Sequence, residues 1–164
     1  MKRTAAIASL VGYVLVIVAA NWMTNAFGLV PMFGLFVTAG TFAAGFALIL
    51  RDAVQVTLGG KVVLIAILVG VCLSYVTSSP ALAIASGMAF LVSEVVDLSV
   101  FTPVRKRSLA GAVLLSSVVS APVDTVLFLH LAGFPVTWQA VLGQFIVKTA
   151  LALAVAIVLT VRHR

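Results

Sequence analysis

Glu94 and Asp97 stand three residues apart in SEVVDLSVF, inside an apolar run from Ala81 to Thr102. Asp124 in SAPVDTVLF and Lys148 in QFIVKTAL have similar aliphatic neighbours. On a helix, a spacing of three puts Glu94 and Asp97 on one face, with Phe90 and Phe101 close to it. Two adjacent carboxylates in low-dielectric surroundings repel each other, and an ammonium group opposes that repulsion. Such groups can hold a polar solute, pass a proton, or pair as a structural strut. At the centre of a membrane helix each costs roughly 2.5–3.5 kcal/mol, so the four together cost on the order of 10–14 kcal/mol. Pairing Lys148 with Glu94 or Asp124 offsets part of that and leaves an acid over. Hydrophobic residues would often serve stability as well. The pattern therefore favours a polar cavity between helices over a set of struts.

The elements that position these groups follow from composition. The 164 residues are 63% hydrophobic and 9% charged, with a mean hydropathy of +1.31. A soluble domain of this length lacks the polar groups needed to cover that much apolar surface, so an integral membrane protein is expected. Six apolar stretches are spaced along the chain, roughly Ala5–Ala20, Val30–Leu50, Val62–Val76, Ala81–Thr102, Leu109–Leu131 and Val136–Val161. Each approaches the ~20 residues a helix needs to cross a bilayer. None alternates as a barrel strand would. The expectation is an all-α membrane protein with one six-helix domain over residues 1–164. Turn formers fall between the stretches: NAFG with Pro31, Gly59–Gly60, Ser78–Ser79–Pro80, Pro103, and Gly133 to Pro135. Pro122 lies inside the fifth stretch.

Basic residues set the expected orientation. Lys2 and Arg3 precede the first span, Arg51 and Lys61 flank the second connection, Arg105, Lys106 and Arg107 fill the fourth, and Arg162 and Arg164 close the chain. The first, third and fifth connections contain no Lys or Arg. The positive-inside rule then places both termini in the cytoplasm, in a multi-pass protein of the cytoplasmic membrane. The net charge of +6 is thus a topology signal, and its scatter over short loops speaks against a nucleic-acid patch. A competing reading makes Lys2–Arg3, the apolar core and Ala19–Ala20 a cleaved signal peptide.

Asn21 and Trp22 close the first span, where Asn supplies donors and acceptors and Trp a stacking face or an interfacial anchor. Trp138 reads as an anchor. Arg51–Asp52, at the inner end of the second span, reads as an interfacial pair or an inner gate. Small residues at spacing four in AGTFAAG (Ala39/Ala43, Gly40/Ala44) suit close helix packing. His130 reads as a solvated interface residue and Cys72 as a small buried hydrophobe. No G-x-x-x-x-G-K-[ST], H-E-x-x-H or G-x-S-x-G occurs. His130 and His163 make no convincing metal pair. Neither ATP hydrolysis by this chain, nor an enzyme, nor a metal or other cofactor is expected.

Taken in order, these landmarks resemble a known family. They are Ala20–Asn21–Trp22, Arg51–Asp52 with Gly59, SEVVDLSVFTPVRKR, VDTVLF and FIVK, and they look like the VUT family, also called the queuosine-precursor transporter family. The resemblance spans Asn21 to Lys148. It implies a six-helix importer of the inner membrane with a bundle like the substrate-binding subunits of ECF vitamin transporters. It further implies uptake of 7-deazaguanine bases such as 7-cyano-7-deazaguanine (preQ0) or preQ1, with Asn21, Asp52, Glu94, Asp97, Asp124 and Lys148 as the polar residues of interest. An importer of another vitamin-like solute with a separate ATPase module, a homo-oligomer, and a non-transporting scaffold remain open alternatives. The sequence departs from the pattern in carrying Arg51 where a small polar residue precedes the Asp. A guanine-like base offers a ring N–H and an exocyclic amine to a carboxylate, a carbonyl to Lys or Asn, and its faces to Phe or Trp.

Overall fold

The computed structural model describes residues 2–162. The C-terminal charges at His163 and Arg164 lie outside it, as do the side chains of Lys2, Arg3 and Arg162. Six helices are long and apolar enough to cross a membrane. They are α1 (Lys2–Phe27), α2 (Thr41–Leu58), α3 (Gly60–Thr77), α4 (Pro80–Val104), α5 (Leu109–Leu131) and α6 (Trp138–Arg162). A two-stranded antiparallel hairpin, β1 (Leu29–Met32) and β2 (Leu35–Thr38), joins α1 to α2.

The chain is the expected all-α membrane bundle, with one correction to its course. The apolar stretch at Val30–Leu50 is not a single helix. Its first half is the hairpin, turned by Phe33 and Gly34, which both adopt positive φ (51° and 78°). Two successive positive-φ residues match the twist of paired strands and reverse the chain in the shortest possible loop. The flanking Leu, Val and Phe suit a pleated surface. Strand and helix look alike in so short an apolar run, which is why periodicity misses the hairpin.

Two boundaries shift as a consequence. Helix α1 does not stop at Ala20 but continues through Asn21, Trp22 and Thr24 to Gly28, whose φ of 60° ends it in the left-handed region. Helix α2 begins at Thr41, so Arg51–Asp52 falls well inside the span and away from the interface. The connection from α2 to α3 shrinks to Gly59.

Glycines let the helices approach. A Cβ on Gly40 would run into the Ala20 carbonyl oxygen and Thr24 Oγ1, so the start of α2 packs directly on the backbone of α1. A Cβ on Gly143 would meet the Phe36 carbonyl oxygen at 2.6 Å, so α6 is flush against β2. Apolar packing is concentrated at the seam of α1, α2 and α3 around Ile17, Val54, Val63 and Ile67. A smaller cluster around Phe101, Ala112 and Val113 packs against Val155 and Leu159. Leu15, Ile65, Leu68, Val95 and Ile157 face outward, as a lipid-facing surface requires. Helix α1 contributes Tyr13, Ile17 and Asn21 to the buried interior, so it is an integral part of the bundle.

Candidate functional site

The hairpin end of the bundle holds a narrow, partly open cavity. All six elements that converge there bring polar or aromatic groups: Asn21 and Thr24 from α1, Thr38 from β2, Thr41 from α2, Ser86 and Phe90 from α4, Asp124 and Phe128 from α5, and Gln144 and Lys148 from α6. The cavity's roof exists because the hairpin folds back over α6. Thr38 Oγ1 and Thr41 Oγ1 lie 2.8 Å apart, which joins the strand's end to the first turn of α2. Asn21 Nδ2 donates to Ser74 Oγ (3.0 Å) and to the Ile17 carbonyl (3.3 Å), tying α1 to α3 beneath the cavity wall.

The cavity's charge is a pair. Lys148 Nζ sits 2.6 Å from Asp124 Oδ2 and donates at 2.9 Å to Thr125 Oγ1. The other carboxylate oxygen, Asp124 Oδ1, is buried without a hydrogen-bond partner, and so is Gln144 Nε2. Buried polar groups are almost always satisfied. An unused acceptor and an unused amide donor lining one cavity are therefore available to a solute.

A second, deeper cluster lies towards the opposite end. Arg51 Nη2 contacts Asp97 Oδ1 at 2.7 Å and Asp52 Oδ1 at 2.9 Å, while Arg51 Nε is 3.4 Å from Glu94 Oε2. Glu94 and Asp97 are fully buried, and Arg51 and Asp52 nearly so. Arg suits this position because its planar fork of donors serves several carboxylates at once. Ser120 Oγ on α5 donates to Asp97 Oδ1 at 3.4 Å. Asp52 also lines an apolar crevice between α2, α5 and α6 at the end away from the hairpin.

The structure thus sorts the residues singled out from sequence into two groups. Asn21, Asp124 and Lys148 meet at the cavity, whereas Arg51, Asp52, Glu94 and Asp97 meet below it. Of the two acids open to Lys148, the partner is Asp124, because Glu94 belongs to Arg51. Arg51–Asp52 is an interior pair rather than an interfacial one. Trp22 does not join the cavity: it is half exposed and makes an edge contact with Phe27 at 6.2 Å. Its neighbour Asn21 faces inward, and one step along a helix turns a side chain by ~100°. Phe90 lines the cavity, while Phe101 is buried elsewhere. Trp138 and His130 are exposed, and Cys72 is exposed rather than buried. Among the described residues, no group of three His, Cys, Asp or Glu is arranged to hold a metal ion.

Gln144, Thr38 and Thr41 were not anticipated. Gln144 had a signal, since it precedes Lys148 by four in an apolar span and so shares its face. Thr38 and Thr41 had none while the hairpin was hidden.

No curated protein and no solved structure matches the chain. The model of the family described as "Putative vitamin uptake transporter" matches residues 74–161, just over half of the sequence, from the last turn of α3 to the end of α6. That span holds Glu94, Asp97, Asp124 and Lys148, and the chain belongs to this vitamin uptake transporter (VUT) family.

Proposed function

We propose that the protein imports queuosine precursors, the 7-deazaguanine bases, across the cytoplasmic membrane, with both termini in the cytoplasm and the hairpin outside. The observation that carries this reading is the pairing of Asp124 Oδ1 with Gln144 Nε2, both buried, unpartnered and lining one cavity. The carboxylate oxygen accepts from the base's ring N–H and exocyclic amine, and the Gln144 amide donates to its carbonyl. Phe90 and Phe128 supply apolar faces for the fused rings. Arg51 and Asp52 act as the inner gate, since they stand between this cavity and the crevice at the other end.

Cells lacking their own route for these bases, given this gene and labelled 7-cyano-7-deazaguanine, test the reading. Uptake above that of empty-vector cells, competed by unlabelled 7-deazaguanines and not by adenine, is expected. Expression in the membrane without uptake of either 7-cyano-7-deazaguanine or its aminomethyl counterpart would overturn it.

A further inference from the structure

We propose that the Arg51 cluster is a coupling-ion site, where a proton binds among Asp52, Glu94 and Asp97 and moves with the solute.

The argument begins with charge. One guanidinium faces three carboxylates, leaving two negative charges in excess when all are ionised. Uncompensated charge is expensive at membrane depth, and among the described residues nothing nearby supplies the balance. On α6, Lys148 is committed to Asp124 and Thr125. Helix α5 offers Ser120 and the already paired Asp124. Helix α1 offers the buried phenol of Tyr13, within electrostatic range of Arg51, Glu94 and Asp124. The titratable side chains of α3 (Lys61, Cys72 and Tyr75) are exposed.

Geometry is the second, independent support. Asp52 Oδ2, both Glu94 oxygens and Asp97 Oδ2 are buried without a hydrogen-bond partner. Arg51 therefore uses one oxygen of each Asp and holds Glu94 by charge at 3.4 Å. Four unsatisfied acceptors beside a single cation form a receptor for positive charge. Among the described residues no group of three His, Cys, Asp or Glu is arranged to hold a metal ion. A proton needs only one carboxylate oxygen.

Access is the third. The crevice between α2, α5 and α6, with about 550 Å³ of empty space, reaches Asp52 from the end away from the hairpin. Towards the hairpin, Glu94 lies one turn along α4 from Phe90, which lines the solute cavity. The cluster thus stands between the two openings, where an ion bound on one side can be released on the other. A solute and an ion that both stabilise the same state shift its population together, which is the thermodynamic content of coupling.

This inference rests on the importer reading, and its test separates the two. In purified full-length protein, the melting temperature is measured against sodium at constant ionic strength and against proton concentration. An ion that binds the folded state raises the melting temperature as its concentration rises. Wild type should gain several degrees from protons and none from sodium, and Glu94→Gln/Asp97→Asn should lose that gain. The same protein in liposomes is then assayed with labelled 7-cyano-7-deazaguanine. Exchange without a gradient tests the solute, and accumulation under an imposed proton or sodium gradient tests the coupling. Accumulation several-fold above exchange under the proton gradient is expected. Exchange without accumulation under that gradient overturns the coupling site and leaves the solute reading intact. Absence of exchange overturns the solute reading, and the melting measurement then decides alone: an equal response of wild type and double variant to protons overturns the site.

Discussion

Replacing Lys148 and Asp124 separately and together distinguishes a working pair from a strut. Both side chains are almost completely buried, with Nζ and Oδ2 2.6 Å apart. Lys148→Met leaves Asp124 with no partner, since its other oxygen already has none, and removing one member of a buried pair costs about 3–5 kcal/mol. Asp124→Leu leaves the ammonium with Thr125 Oγ1 at 2.9 Å, so its cost falls at the lower end of the same ~3–5 kcal/mol range. In the double variant both charges are gone, and an apolar pair of similar volume is neutral or stabilising by about 1–4 kcal/mol. The cycle should therefore return a coupling of about 6 kcal/mol or more, read from unfolding in detergent. Lys148→Met with Glu94→Leu is the control. Those residues share no partner, so their effects should add to within ~0.5 kcal/mol. Uptake is the second readout. The Lys148→Met/Asp124→Leu variant should fold, insert and fail to import, because it lacks the carboxylate proposed to accept the base. Wild-type import by that variant at equal protein level would refute the cavity argument and leave Lys148–Asp124 as a strut.

Glu94→Gln and Asp97→Asn should each cut uptake at least tenfold while membrane levels stay near wild type, because each removes a surplus negative charge beside Arg51; quantified uptake per unit protein checks this. Gly40→Ala should destabilise the bundle by about 1–3 kcal/mol, since its methyl group has only the Ala20 carbonyl and Thr24 Oγ1 to displace, and a lowered melting temperature would report it. Reporters fused after Arg164 and inserted at Ser78–Ser79 should report opposite sides of the membrane, with the C-terminal one cytoplasmic; an external C-terminal reporter would reverse the orientation.

How far the sequence reveals this molecule depends on the length of each signal. Leu109–Leu131 coincides with α5, and the other late spans differ by two residues or fewer at each end, because long apolar runs between turn formers leave little freedom. The hairpin was hidden for the opposite reason. Its strands are four residues each, too short for alternation to separate them from a helix. That miss moved the start of α2 and so placed Arg51–Asp52 at an interface instead of mid-span. Spacing put Glu94 and Asp97 on one face, but the choice of Asp124 over Glu94 as the partner of Lys148 was not legible. It depends on where α2 carries Arg51, a tertiary fact with no local signature. Trp22 and Asn21 show the same limit at finer scale, since adjacent residues on α1 face lipid and cavity respectively.

The chain has four Asp and Glu in all, and every one is buried in one of the two clusters. A protein whose surface charge came from ordinary solvated groups would scatter acids over its loops, where they cost little. Here the basic residues outside the interior gather at alternate connections and the chain ends and the interior holds all the acid, so the distribution separates orientation from interior chemistry. The two interior clusters also differ in balance. Asp124 and Lys148 neutralise each other and leave one carboxylate oxygen unpartnered. Asp52, Glu94 and Asp97 outnumber Arg51, so full compensation there requires positive charge that the neighbouring side chains do not supply. Stability alone would favour losing both clusters to apolar packing. A neutral site near the hairpin and an electronegative one towards the crevice are instead what the proposed carrier needs to move its solute with a proton.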